Sequence, residues 1–227
     1  MSPLWTSAEI AAATGGTASA AFDVTGVTFD SREVEPGFLF VAMPGTVHDG
    51  HQFVDQAFAL GAAAALVSKP VDGPHVLVAD TAAALEALGR AARERVGATI
   101  IGVTGSVGKT STKEALFAAL DRSHRGRVHR SVKSYNNHTG VPLSLARMPR
   151  DSAFAVLEMG MNHAGEIAAL TRQVRPHVAV ITAIAPAHIE TLGSEEAIAV
   201  TTATCGRISA VSAVSSPAWF MPISSTP

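Results

Sequence analysis

With 227 residues, 47% of them hydrophobic, the chain can bury a substantial core as one large domain or two small ones. A formal net charge of −2 with no Lys/Arg block gives no footprint for nucleic acid or an anionic membrane. The lone Cys205 excludes an intramolecular disulfide and a cysteine-rich metal site. Met1-Ser2-Pro3-Leu4-Trp5 lacks a basic start followed by an apolar run, so no signal peptide is expected. No uninterrupted apolar stretch approaches the ~20 residues of a membrane helix, and a soluble, cytoplasmic protein is the default expectation.

Thr6 and Glu9 have the spacing of a capping box, starting a short helix that stops at Gly15-Gly16. Residues 24–29 and 38–42 read as strands separated by the turn formers Glu35-Pro36-Gly37. Phe53, Ala57 and Leu60 share one helical face, and Gly61 suits the residue after its end. Strands at 63–67 and 75–79 and a helix at 81–96, with Asp80 as N-cap, complete a first unit over 1–95, a small N-terminal α/β domain. A second unit over 96–199 opens with an apolar strand and continues as strand 127–130, helix 141–147, strand 153–158, helix 164–174 and strand 178–183. Apolar strands alternating with helices predict a parallel sheet covered on both faces, with ligands at the carboxyl ends of its strands. Residues 200–227 show neither period and carry one charged side chain, Arg207, so an atypical disordered tail is expected.

The segment Ile100-Ile101-Gly102-Val103 leads into Thr104-Gly105-Ser106-Val107-Gly108-Lys109-Thr110-Ser111 and then a helix-compatible stretch. Strand, glycine turn, lysine-hydroxyl pair and helix, in that order, are what a phosphate-binding loop requires. Glycines let backbone N–H groups converge on phosphate oxygens, and the helix N-terminus adds its positive end. Lys109 would set a point charge on the terminal phosphates, and Thr110 a hydroxyl on the accompanying magnesium. The strict spacing wants glycine at 103, where this chain has Val103. The competing reading is a glycine-rich turn that binds nothing.

Glu158 ends an apolar strand beside that loop, where a magnesium ligand or a water-orienting group is needed; the lesser alternative is an acid that merely caps the next segment. His163 and Glu166 are as consistent with a helix start as with a site. His188 falls just past the strand at 178–183, as a ligand or as an ordinary loop histidine. Asn136 and Asn137 could read a base or sugar, or form Asx turns. In the first unit Asp30-Ser31-Arg32 sits at a strand end, and Arg32 can grip a phosphate or carboxylate. Gly45 to His51, including Asp49, forms a polar turn before a helix.

Six segments together resemble the Mur ligases of peptidoglycan synthesis: Phe29 to Ala42, Gly45 to His51, Thr104 to Glu114, Asn136 to Pro142, Glu158 to Ile167, and Ala187-His188-Ile189-Glu190. Their order and spacing hold over about residues 1–199. Thr112-Lys113-Glu114 and the Asn-Asn pair favour the branch taking a UDP-N-acetylmuramoyl-tripeptide and D-alanyl-D-alanine. The resemblance implies a P-loop α/β domain and an ATP-dependent carboxylate-amine ligase working through an acyl phosphate, with ATP and Mg2+ as cofactors. It implies ATP and magnesium contacts for Lys109 and Thr110, magnesium contacts for Glu158 and His188, and the uridine nucleotide on Ser31 and Arg32 with Gly45, Asp49 and His51. Asn136 and Asn137 would line the site between the units. A monomer with no nucleic-acid or membrane partner is expected.

Relatives continue through a lysine that becomes carbamylated. By spacing from His188 that position falls near Thr202, and no lysine follows Lys133. The chain therefore reads as truncated, with little or no ligation expected of it alone. Competing readings are a sister Mur ligase, a folylpolyglutamate synthase-like enzyme, or a non-catalytic nucleotide- or UDP-sugar-binding remnant. A small GTPase is set aside because no Asn-Lys-x-Asp segment follows the loop.

Overall fold

The computed structural model describes residues 2–45, 49–185, 194 and 198. The expected tail, His188 and the Thr202 position lie outside the described residues, as do Thr46 to His48.

The first elements are β1 (Trp5–Thr6), α1 (Ser7–Thr14), β2 (Thr17–Ala18), β3 (Asp23–Val24), β4 (Gly26–Thr28) and β5 (Phe38–Val41). They continue with α2 (Val54–Ala59), β6 (Ala64–Val67), β7 (His75–Leu77) and α3 (Thr81–Arg95). The capping box forms: the Thr6 hydroxyl accepts from Glu9 N, and the Glu9 carboxylate accepts from Thr6 N. Asp80 caps α3 by accepting from Ala82 N and Ala83 N. A five-stranded sheet runs β2-β7-β6-β5-β4, parallel except for the antiparallel edge β2. The stretch read as one strand over 24–29 is divided at Thr25, whose N–H turns away to bond Gly37 O. β1 and β2 escaped the sequence reading because two-residue pairings carry no periodicity.

The second group is β8 (Thr99–Thr104), α4 (Lys109–Asp121), β9 (Val128–Arg130), α5 (Gly140–Ala146), β10 (Phe154–Glu158), α6 (Glu166–Val174) and β11 (Val178–Ile181). These strands form a fully parallel sheet in the order β11-β8-β10-β9. Side-chain alternation along β8 divides its two cores. Ile100 joins the cluster containing Val141, Leu145 and Ile167, while Ile101 and Val103 face Leu116 and Leu120 of α4. Both faces are thus covered, as expected of a parallel sheet.

Helix α5 serves the cores of both sheets. Leu85, Leu88 and Ala92 of α3 pack with Leu143 and Ala146 of α5 against Val27, Leu39 and Leu66 of the first sheet. On the other side of α5, Val141 and Leu145 belong to the second core. All seven residues of α5 are buried, which explains why this helix has no polar face. Its close approach to α3 needs Gly89, where a Cβ would stand 3.0 Å from Pro142 O.

Candidate functional site

Thr104 ends β8, and the chain enters the glycine loop at its carboxyl end. Gly105 adopts φ +135, and a Cβ there would stand 2.3 Å from Thr182 Oγ1, so the tight passage beside β11 requires glycine. Gly108 opens α4 in the left-handed conformation with no side-chain cap. The positive end of this 13-residue helix therefore faces the loop. The loop is braced from beyond β11: Ser106 Oγ donates to Ala185 O at 3.0 Å, and Ser106 N to Ala183 O at 2.7 Å. Lys109 Nζ folds back to donate to Gly105 O at 2.7 Å and Ser106 O at 3.2 Å. Burial pulls the Lys109 pKa down, partly opposed by the negative charge of Glu158. Ser111 lies exposed on the first turn of α4.

Glu158, at the end of β10, is 1% exposed. Thr110 Oγ1 donates to its Oε2 at 3.0 Å, and Asn136 Nδ2 donates to its Oε1 at 2.8 Å. Its backbone N–H donates to Ser131 Oγ at 3.0 Å. The sequence-expected Lys109, Thr110, Glu158 and Asn136 thus converge at one strand edge. Asn137 does not join them: its Oδ1 accepts from Thr139 N and Gly140 N and starts α5, the turn-forming alternative. Glu166 likewise accepts from Asn162 N and His163 N at a helix start.

Lys113 was missed by sequence reasoning. Its side chain is 1% exposed, donates to Lys133 O at 2.9 Å and stands 3.6 Å from Glu158 Oε2. Its place four residues after Lys109, one turn on along the same helix, gave no signal by itself, since such a lysine reads as solvent-facing. Glu33 was also missed. It accepts from Lys133 Nζ, from Tyr135 OH at 2.9 Å and from Arg147 at 3.3 Å, joining the first unit to the second. An open cleft of about 530 Å³ lies here, lined by Arg32, Glu33, Val34, Phe38, Val132 and Arg147 among others.

The expected first-unit residues lie along the carboxyl edge of β4, β5 and β6. Ser31 and Arg32 form a 3-10 turn capped by Asp30. The exposed Arg32 guanidinium clasps both oxygens of Asp30, at 2.9 and 2.7 Å, which holds the Asp30 carboxyl down at about 2. Gly45 is exposed. Asp49 Oδ1 lies 2.6 Å from His51 Nδ1, and Ser68 N donates to His51 Nε2 at 2.9 Å. That amide makes Nε2 the acceptor, so Nδ1 carries the proton and donates to Asp49. Lys69 Nζ at 2.9 Å is the main cause that lowers the Asp49 pKa, followed by His51.

Among the described residues no three His, Cys, Asp or Glu side chains cluster as a metal cage. Thr110 and Glu158 offer two hard oxygen donors 3.0 Å apart at the mouth of the glycine loop. That donor set fits magnesium, which takes one or two carboxylates and completes its octahedron with phosphate and water oxygens.

A parallel α/β sheet with a glycine loop at one strand end, a lysine-hydroxyl pair opening the next helix and an acid on the adjacent strand is the architecture of the P-loop proteins. The model of the Mur ligase family, catalytic domain, matches residues 23–103, and that of the Mur ligase middle domain matches residues 103–204. The chain belongs to the Mur ligase family. It is 44% identical over 181 residues to the UDP-N-acetylmuramoyl-tripeptide–D-alanyl-D-alanine ligase of Bacillus subtilis, covering 78% of this chain and 39% of that protein. The ligase of the same name from Escherichia coli is 43% identical over 175 residues, covering 76% and 38%. A crystal structure of MurF from Acinetobacter baumannii superposes with a TM-score of 0.77 at 34% identity, covering 90% of this chain and 46% of that one. The Thermotoga maritima MurF ligase in complex with ADP gives 0.65 at 34% identity, covering 81% and 43%. The chain thus spans about two-fifths of the length of the curated relatives it matches. Among the described residues no helix is long and apolar enough to cross a membrane.

Proposed function

We propose that this chain carries the nucleotide-binding and UDP-sugar-binding portion of a cytoplasmic, monomeric ATP-dependent ligase that joins D-alanyl-D-alanine to a UDP-N-acetylmuramoyl-tripeptide. The observation that carries the reading is the 3.0 Å contact between Thr110 and the buried Glu158 beneath a loop holding Lys109. Residues 1–95 would bind the uridine nucleotide, and residues 96–199 the ATP. Relatives named for this joining reaction, and one related structure in complex with ADP, support the assignment.

In this reading Lys109 exchanges its bonds to the Gly105 and Ser106 carbonyls for oxygens of the β- and γ-phosphates. The amides of the loop and of the first turn of α4 complete the cradle. Thr110 and Glu158, together with His188, would hold magnesium, which when bound neutralises polyphosphate charge. Asn136 fixes the rotation of the Glu158 carboxylate by occupying Oε1, leaving Oε2 toward the phosphate loop. Ser31, Arg32, Gly45, Asp49 and His51 would take the uridine nucleotide at the first sheet's carboxyl edge. The substrate carboxylate would take the γ-phosphoryl group as ADP leaves, and the incoming amine would displace phosphate from the acyl carbon.

Calorimetric titration of the chain with ADP and magnesium is the test. Saturable binding that Lys109→Ala weakens by roughly 10- to 150-fold is expected, the worth of a hydrogen bond to a charged group. Absence of binding in the unsubstituted chain would overturn the assignment. A full-length protein containing these residues that binds ATP but transfers no phosphoryl group from it to the UDP-tripeptide would point instead to a non-catalytic nucleotide-binding module.

A further inference from the structure

We propose that Lys113 is the positioning residue of this site, locking Glu158 and the segment 131–137 into one arrangement that receives the metal-bound nucleotide. The inference rests on the nucleotide reading above. A lysine buried to this degree is costly unless its charge is met. Here its ammonium meets Lys133 O at 2.9 Å, Glu114 Oε1 at 3.4 Å and Glu158 Oε2 at 3.6 Å. Lys133 adopts a left-handed backbone conformation, φ +53, unusual for a residue with a Cβ. Surrounding contacts must hold it there, and the Lys113–carbonyl bond is one of them. Three residues further on, Asn136 grips Glu158 Oε1, and Gly160 N donates to Asn136 O at 2.7 Å. Ser131, at the start of the same segment, takes the Glu158 backbone N–H. Lys113 therefore acts on the carboxylate twice, directly on Oε2 and through the segment that carries its Oε1 partner.

Plain electrostatics makes the opposite forecast. A cation 3.6 Å from a metal-binding carboxylate repels the metal, so its removal should tighten magnesium binding. Positioning predicts weaker binding, because the freed carboxylate must be reordered by the metal itself. The sign of the change decides between them.

The experiment titrates ADP into the chain over a magnesium series, for the unsubstituted protein, Lys113→Met, Lys113→Gln and Glu114→Gln. Metal-free ADP affinity is expected within threefold in all four, since Lys109 and the glycine loop are untouched. The magnesium midpoint should rise at least tenfold in Lys113→Met. It should rise less in Lys113→Gln, which keeps an N–H for the Lys133 carbonyl, and stay within threefold in Glu114→Gln. A midpoint that is unchanged or lowered in Lys113→Met overturns the inference. So does an equal loss of metal-free and metal-bound affinity, the mark of a merely structural role. If Lys113→Met does not melt as a folded protein, Lys113→Gln takes its place, and a magnesium midpoint that is unchanged or lowered in it overturns the inference. ADP binding by the unsubstituted chain that ignores magnesium overturns this inference alone; no ADP binding at all overturns the nucleotide reading and this inference with it.

Discussion

The indole Nε1 of Trp5 donates to the carbonyl oxygen of Ala146 at 2.9 Å, tying the start of the chain to the last turn of α5, 141 residues away. Trp5 is 2% exposed, and the Arg95 guanidinium stacks over its ring at 3.4 Å. Among the described residues Arg95 has no hydrogen-bond partner at its guanidinium nitrogens, and burial pushes its pKa down to about 10. The ring face supports that charge, together with the negative charge of Glu9.

Trp5→Ala should cost about 3–5 kcal/mol of stability, the usual loss for emptying a large aromatic site. Trp5→Phe should cost less, chiefly the indole hydrogen bond and its buried acceptor, about 1–3 kcal/mol. Since the first core includes Leu143 and Ala146, urea unfolding should remain one transition by far- and near-ultraviolet circular dichroism. Two separated transitions would show that the units unfold independently.

Gly89→Ala tests the same junction from α3. Its Cβ would stand 3.0 Å from Pro142 O and 3.1 Å from Pro142 Cα, backbone atoms that cannot rotate away. Alanine normally favours a helix by about 1 kcal/mol over glycine. Here overpacking should reverse the sign and destabilise by roughly 1–3 kcal/mol. A raised melting temperature would mean that α3 and α5 part easily.

His129 should make the fold acid-sensitive. Its Nε2 lies 2.7 Å from Ser144 O, so that nitrogen carries hydrogen and donates, and burial pushes its pKa down from 6.5 to about 4. Between these values the unfolded chain binds a proton that the folded chain refuses. Stability is therefore fully present above pH 6.5 and falls as pH drops toward 4. Full linkage would be about 3 kcal/mol, and a partly accessible ring should give less. The difference in urea midpoint between the unsubstituted chain and His129→Gln, measured from pH 7 to 4.5, should shrink with acid. A pH-independent difference would contradict the assignment.

Thr110→Val removes one hydroxyl from the site without changing its shape. Magnesium-supported ADP binding should weaken by about 1–3 kcal/mol, roughly 5- to 150-fold, while metal-free binding changes little. An equal effect with and without magnesium would place the hydroxyl on phosphate rather than on metal.

Much of the architecture was legible residue by residue. The Thr6–Glu9 box, the Asp80 cap, the glycine loop and every strand of the second sheet were readable because each depends on neighbours a few residues apart. The two-residue strands β1 and β2 were not, since their pairing is decided by chain brought from elsewhere. Glu158 was legible as an acid at a strand tip, though not that Asn136 and Lys113 would share it.

The sequence by itself determined the glycine loop, the alternation of strand and helix, and the family membership that those motifs carry. Their chemistry lies in contiguous residues, where the 3.6- and 2-residue periods and capping hydrogen bonds operate. Only the tertiary structure decided that α5 would be buried on every side, that Glu33 would gather Lys133, Tyr135 and Arg147, and that Lys113 would turn inward to Glu158. These contacts join residues 45 to 114 positions apart, except for the 20-residue reach of Lys113 to Lys133 O. No local pattern specifies them, because a lysine four residues along a helix looks solvent-facing until another strand arrives to meet its charge.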